Sequence, residues 1–114
     1  AIRLLGYDFE PSAGRLTLYW QSLSPVEEDL QLFIHLLDQE GKLLAQADAP
    51  PTENAYPTSW WAPGEIVADP HFLPLVPGAE RLRLGFYSLN SGERLPITHS
   101  TLPHQDEGVE VLLP

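Results

Sequence analysis

The chain has 114 residues and no cysteine, with 16 acidic against six basic side chains and a formal net charge of −10 at pH 7. Its length is that of one domain, and Leu, Ile, Val and Phe make up 33 of the residues, too many for a disordered chain. The negative charge argues against a nucleic-acid partner, and the lack of cysteine excludes disulfides, thiolate nucleophiles and Cys-type metal sites.

The first half of the chain alternates apolar and polar residues in the two-residue period of β-strands. The predicted strands are residues 2–10, 15–23, 30–38 and 42–48. The second strand places Leu16, Leu18 and Trp20 on one face, which predicts a buried face and a wet one. The third is apolar on both faces, which predicts a central strand, and Gly41 supplies the left-handed residue of the hairpin that follows. The acidic residues 27–29 predict a solvated loop.

The second half of the chain resumes this alternation after a long interruption. The predicted strands are residues 65–75, 80–89 and 94–98, followed by a closing strand with Val109, Val111 and Leu113. Pro70 and Pro74 place the first of these at a sheet edge or beside a bulge, because proline cannot donate to the ladder. Residues 80–89 predict a second central strand, and residues 100–108 are polar and irregular.

Seven or eight short strands with turn residues between them are typical of an all-β protein. We predict an antiparallel two-sheet sandwich, immunoglobulin-like, with a jelly-roll-like arrangement as the alternative. Residues 1–114 form a single domain in this interpretation. Because the sequence has no methionine and Ala1 leads almost directly into a strand, we expect it to be a fragment of a longer protein. No stretch is apolar enough to span a membrane, so no direct insertion by this fragment is expected.

The sequence has no motif that is specific for catalysis, nucleotide binding or metal binding. Its four histidines are not spaced as ligands of one metal, and the predicted central strand accounts for His35 as a structural residue. We therefore expect no cofactor, no metal and no enzymatic activity in the isolated domain. A hydrolase built on His71 or His99 with nearby carboxylates is a remote alternative.

The interruption at residues 49–64 is the best candidate for a functional segment. A loop of this length without periodicity is unusual in a compact domain and is often functional. Its aromatic side chains offer large flat faces for a sugar ring or a protein partner, at low entropic cost. The candidate ligand-binding residues are Tyr56, Trp60 and Trp61, with His71 as a neighbour. In the alternative interpretation, one or both tryptophans fold back and plug the open end of the sandwich.

Three stretches of the sequence carry a resemblance to a known type of domain. They are LTLYWQSLSPVEEDLQLFIHLLDQEGKLLAQADAPP, YPTSWWAPGEIVAD and LRLGFYSLNSGERLPI. Together they resemble the soluble β-sandwich domain at the C-terminal end of large multi-spanning bacterial membrane proteins, many of which are similar to dolichyl-phosphate-mannose type glycosyltransferases. The resemblance covers residues 1–114 and implies an extracytoplasmic location, tethered through the parent membrane protein. It carries over no catalytic residue, since lipid-phosphate sugar chemistry would belong to the membrane part of such a parent.

These observations predict a non-catalytic accessory domain of a membrane-associated, glycosyltransferase-like protein. Its expected partner is a glycan, which it binds or positions, or the membrane domain of its parent. A purely structural protein–protein interaction domain, whose aromatic residues are core, is the alternative. The sequence leaves the ligand and the oligomeric state open.

Overall fold

The computed structural model describes residues 2–74, 76–95, 97–98, 104–105 and 108–113. Its strands are β1 (Ile2–Glu10), β2 (Arg15–Ser22), β3 (Gln31–Leu37), β4 (Leu43–Gln46), β5 (Ile66–Phe72), β6 (Arg81–Tyr87), β7 (Arg94–Leu95), β8 (Ile97–Thr98), β9 (His104–Gln105) and β10 (Gly108–Leu112). Two short 3-10 turns, Pro51–Asn54 and Thr58–Trp60, lie between β4 and β5. The described residues contain no α-helix, and the all-β prediction is confirmed.

The strands form two sheets. The first has the order β5-β2-β1-β8, and the second has the order β4-β3-β6-β10-β9, with β7 also pairing with β6. Among the strands that the structure describes, β1 with β8 is a parallel pair and the others are antiparallel. This placement, with β5, β2 and β1 in one sheet and β4, β3, β6 and β10 in the other, matches the immunoglobulin-like sandwich.

The central and edge strands agree with the sequence predictions, and one predicted strand is divided. The strands β3 and β6 are central and pair with each other along seven residues. The strand β5 lies at the edge of the first sheet and contains Pro70. An edge position suits proline, because proline has no N–H to donate to a neighbouring strand. The predicted strand at residues 94–98 is instead two segments in different sheets, since β7 pairs with β6 and β8 pairs with β1. A proline, which cannot donate to a ladder, separates them in sequence.

The core lies between the sheets and is built from the inward-facing alternate residues of each strand. Three strands each contribute three buried apolar side chains to the core cluster: Leu16, Leu18 and Trp20 of β2, Leu32, Ile34 and Leu36 of β3, and Leu82, Leu84 and Phe86 of β6. The rings of Trp20 and Phe86 meet across the sheets at a centroid distance of 4.7 Å. Burial of these side chains removes apolar surface from water and stabilises the two-layer arrangement.

The two ends of the sandwich differ. At one end, which we call the proline end, Phe9, Pro11, Leu73, Pro74 and Pro77 help to line an apolar pocket of about 340 Å³. At the other, the aromatic end, the chain enters the loop of residues 50–65 before β5 begins. No helix among the described residues is long and apolar enough to cross a membrane. His99 and most of the irregular stretch at residues 100–108 lie outside the described residues.

Candidate functional site

The aromatic loop, residues 50–65, is built from two proline-initiated turns. Pro50 and Pro57 are extended, with φ of −66° and −64°, and each immediately precedes a 3-10 turn. A backbone bridge between Ala49 and Leu32 fixes the start of the loop on β3. At its end, Gly64 N donates to Ser22 O at 2.6 Å and ties the loop to β2. The loop therefore spans from one sheet to the other across the aromatic end.

Trp61 plugs this end of the sandwich. Only 3% of the residue is exposed, and its ring makes an edge-on contact with Phe86 at a centroid distance of 6.2 Å. Its Nε1 donates to Tyr56 O at 2.9 Å, which satisfies the polar atom of the buried indole. Of the two interpretations of the tryptophan pair, plugging therefore applies to Trp61, whose faces are covered by protein.

Trp60 has the opposite environment. It ends the second 3-10 turn with 64% of the residue exposed, and its ring meets that of Tyr56 edge-on at a centroid distance of 6.3 Å. The Tyr56 hydroxyl lies 2.7 Å from Glu65 Oε1 and donates to this carboxylate, which also accepts from Ala62 N at 2.9 Å. These contacts hold Trp60 as an exposed platform on an ordered support.

The contact between Tyr56 and Glu65 also shifts the pKa of both side chains. The hydrogen bond to Glu65 raises the pKa of the Tyr56 hydroxyl, because the proton that it shares is harder to remove. The same bond, together with the bond from Ala62 N, lowers the pKa of the Glu65 carboxyl by stabilising its charged form. Near neutral pH the two groups form a neutral donor and a charged acceptor.

The acidic loop borders the platform. Asp29 accepts from the backbone N and the hydroxyl of Ser59, the residue before Trp60. Thr58, fully buried, donates through Oγ1 to Glu28 O at 2.7 Å and accepts from Leu30 N at 2.9 Å. The sequence predicted only a solvated acidic loop here, because the partners of residues 28–30 are about 30 positions away in the chain.

Exposed apolar side chains surround the same end. Leu23 follows Ser22, the partner of Gly64, and is 41% exposed. Ile66 begins β5 immediately after Glu65. Leu89 follows Ser88, whose hydroxyl donates to Glu28 Oε2 at 2.9 Å. Ile66 and Leu89 are both exposed, so Trp60 lies at the end that also carries these aliphatic side chains.

His71 does not join this platform. It faces the core from β5, 5% exposed, and its Nε2 lies 2.8 Å from Asp69 Oδ2, outside hydrogen-bonding direction. Asp69 is fully buried and accepts from Trp20 Nε1 at 3.0 Å and from Thr52 N at 2.7 Å. Sequence reasoning missed Asp69, although its position between the inward-facing Val67 and His71 was a signal of a buried carboxylate.

The Thr52 end of this network is conformationally strained. Thr52, Glu53 and Asn54 have φ of 54°, 54° and 66°, the left-handed region that non-glycine residues seldom adopt. Each such residue costs roughly 1–2 kcal/mol, somewhat less for Asn. Such strain persists only where neighbouring groups hold it. Here Thr52 N is bound to Asp69, and Thr52 Oγ1 accepts from Tyr56 N at 2.8 Å.

Comparisons with known protein families, with curated proteins and with solved structures find no match. Among the residues that the structure describes, no group of three or more His, Asp or Glu side chains is placed to hold a metal ion. The site is therefore defined by its own geometry: an exposed indole supported by Tyr56, with carboxylates bound to the residues next to it and exposed aliphatic side chains at the same end of the sandwich.

Proposed function

We propose that this chain is a non-catalytic binding domain that recognises a glycan by stacking a sugar ring on Trp60. The observation that carries the proposal is the exposure of Trp60 on a support that is hydrogen-bonded and packed. An indole that is exposed and already ordered offers a flat apolar face without further loss of side-chain freedom on binding. The apolar face of a pyranose ring is the complementary ligand surface.

Polar groups beside the indole supply the directional contacts that stacking lacks. Asp29 and Asn90 are exposed on the segments that border the aromatic loop. Carboxylate and amide oxygens accept hydrogen bonds from sugar hydroxyls, and the amide also donates. A flat apolar surface with a few polar groups at its margin is the pattern of a small-ligand site.

The resemblance to domains of membrane proteins extends this proposal to a biological setting. The domain is then extracytoplasmic, is tethered through a parent that is similar to a glycosyltransferase, and holds a glycan for that parent. The chemistry belongs to the parent, and the isolated domain is not an enzyme. The burial of His71 and Asp69 in the core supports this assignment, because neither group is open to a substrate.

A protein partner is the second candidate, and a separate observation favours it. Leu23, Ile66 and Leu89 are exposed at the same end as Trp60. Exposed apolar side chains that cluster around an aromatic anchor are typical of protein-binding surfaces. In this version, the aromatic end packs on the membrane domain of the parent.

Binding of labelled oligosaccharides of mannose, glucose, galactose and N-acetylglucosamine tests the glycan proposal. The variants are Trp60→Ala and, as a matched control, Phe72→Ala, because Phe72 is a similarly exposed aromatic residue on the edge strand. We expect wild type and Phe72→Ala to bind alike and Trp60→Ala to lose roughly tenfold or more in affinity. Equal affinity of all three for a bound glycan would show that Trp60 is not the platform.

Absence of glycan binding by the wild type would reject the first candidate and leave the protein partner to be tested. That test measures association of the domain with the membrane part of its parent, comparing wild type with Leu89→Asp. Leu89→Asp should weaken the association while oligosaccharide binding, if present, stays unchanged. Unaltered association would reject the protein-docking surface.

A further inference from the structure

We infer that Asp69 is a positioning residue, which sets the location of the Trp60 platform from inside the core. The functional part of this inference rests on the proposed glycan site, whereas the structural part can be tested without any ligand. The carboxylate is fully buried on β5, yet it contacts the aromatic loop directly through Thr52 N at 2.7 Å. It is the point at which the first sheet holds the first turn of that loop.

A short series of contacts leads from this carboxylate to the platform. Asp69 Oδ1 accepts from Thr52 N, and Thr52 Oγ1 accepts from Tyr56 N at 2.8 Å. The Tyr56 ring then supports Trp60 edge-on, and Tyr56 O accepts from Trp61 Nε1. Tyr56 therefore lies between the anchored turn and both tryptophans.

The burial of this carboxyl group indicates a specific task. A carboxylate in an apolar core is costly unless its oxygens accept hydrogen bonds. Asp69 has one partner on each side: Trp20 Nε1 within the core and Thr52 N in the loop. His71 lies beside it, with Nε2 at 2.8 Å from Oδ2.

Backbone strain makes the loop depend on this anchor. Three successive non-glycine residues, Thr52 to Asn54, keep positive φ values. A free loop would relax toward the more favourable right-handed or extended regions. Without the acceptor at position 69, the first turn loses its bond to the sheet, and Tyr56 and Trp60 lose their fixed position.

Fluorine NMR of the protein labelled with 5-fluorotryptophan tests the inference. Three signals are expected, one for each tryptophan, and a Trp60→Phe variant assigns that of Trp60. In Asp69→Ala and in Thr52→Ala, we expect the Trp60 signal to sharpen and move toward the shift of the free amino acid. In Asp69→Asn, one amide oxygen remains for two donors, Thr52 N and Trp20 Nε1, so the signal should move in the same direction as in Asp69→Ala but less far.

The control is Val111→Ala, which removes buried apolar atoms on β10 in the opposite sheet. It should lower stability without moving the Trp60 signal, which separates positioning from general destabilisation. Thr52→Ala keeps the backbone N–H that donates to Asp69 and removes the hydroxyl that accepts from Tyr56 N, so it tests the second step of the series even if Asp69→Ala does not fold. A Trp60 signal unchanged in Thr52→Ala, or moved equally in Val111→Ala, would overturn the inference.

Oligosaccharide binding adds the functional readout. We expect affinity to fall at least severalfold in Asp69→Ala and in Thr52→Ala, and to be unchanged in the control Val111→Ala. If the wild type binds no oligosaccharide, the proposed function fails while the NMR result still decides the role of Asp69. If the wild type binds and the Thr52→Ala variant binds equally well, the positioning role fails while the proposed function stands.

Discussion

At the scale of single residues, Trp60 and Trp61 show how neighbours in sequence acquire opposite roles. Trp60 is the last residue of a 3-10 turn, whereas Trp61 is extended, with φ of −72° and ψ of 127°. The backbone changes from helical to extended between them, so the two side chains leave the chain in different directions, and one indole enters the core while the other faces solvent. The sequence left open whether one or both tryptophans fold back, and the structure buries Trp61 and exposes Trp60.

This division predicts a large difference in stability between two similar substitutions. Trp61→Ala should lower the free energy of unfolding by roughly 3–5 kcal/mol, because it leaves a cavity and an unpaired carbonyl of Tyr56. Trp60→Ala should change it by no more than about 0.5 kcal/mol, as expected of an exposed side chain. Urea unfolding followed by circular dichroism measures both. Similar losses in the two variants would contradict the assignment of plug and platform.

His35 is a second residue that leads to a prediction, here about how stability depends on pH. It is half-buried on the outer face of β3, where its ring lies 5.0 Å from that of Phe33. Burial lowers the pKa of the imidazole, with Arg94 and Arg83 acting in the same direction and Asp48 opposing them. The folded state therefore binds a proton at His35 less readily than the unfolded state does.

Stability should consequently fall as the pH is lowered through the ordinary titration range of histidine, about 6.5. The sign follows because the unfolded chain takes up more protons there than the folded chain. Replacing His35 with Gln removes this contribution. The loss of unfolding free energy on going from about pH 7.5 to below about pH 6.5 should therefore be smaller in His35→Gln than in the wild type. Parallel pH profiles for wild type and variant would show that His35 is not responsible.

At the scale of elements, the aromatic loop is ordered by contacts that it makes with the rest of the sandwich. Tyr56 and Glu65 close its second turn, Thr58 is bound to Glu28, and Thr52 is bound to Asp69. These contacts attach the loop to its own end, to the acidic loop and to β5, in addition to the bond from Gly64 N to Ser22 O of β2. This explains how a segment without α-helix or strand holds a bulky exposed indole in place.

The hydrogen bond between Tyr56 and Glu65 predicts a local effect on amide hydrogen exchange. Tyr56→Phe keeps the ring beneath Trp60 but removes the hydroxyl that donates to Glu65. Loss of one such hydrogen bond should raise the amide exchange rate of Ala62 and its neighbours roughly two- to tenfold, with little change in exchange of β3 or β6. Hydrogen–deuterium exchange with mass spectrometry measures both regions. Uniform acceleration across the sheets would indicate global destabilisation instead.

The strands could be predicted from the sequence in more detail than the loop could. Alternation in residues 15–23 and 80–89 predicted which side chains face the core, and proline at position 70 predicted the edge strand. These features depend on neighbours one or two positions apart. Residues 94–98 were predicted as one strand, but local pattern does not reveal that its halves pair with different sheets.

At the scale of the whole molecule, the sandwich has one end with an aromatic platform and one with an apolar pocket. The aromatic end collects Trp60, the acidic loop and exposed aliphatic residues from segments far apart in sequence. The sheets also bring the start of β1 to this end, because Ile2 pairs with Ser22. A charge of −10 adds long-range repulsion toward anionic surfaces, which is consistent with a neutral or uncharged ligand at the platform.

The sequence by itself determined the class of fold and the central and edge strands, and it singled out the segment in which we propose the site. These properties follow from periodicity, proline chemistry and loop length. Such features are local and can be recognised without knowing which residues are in contact. Only the tertiary structure decided that Trp60 rather than Trp61 is exposed, and that Asp69 is buried against the loop. Both depend on hydrogen bonds and packing between residues brought together by the two sheets, and no local pattern encodes them.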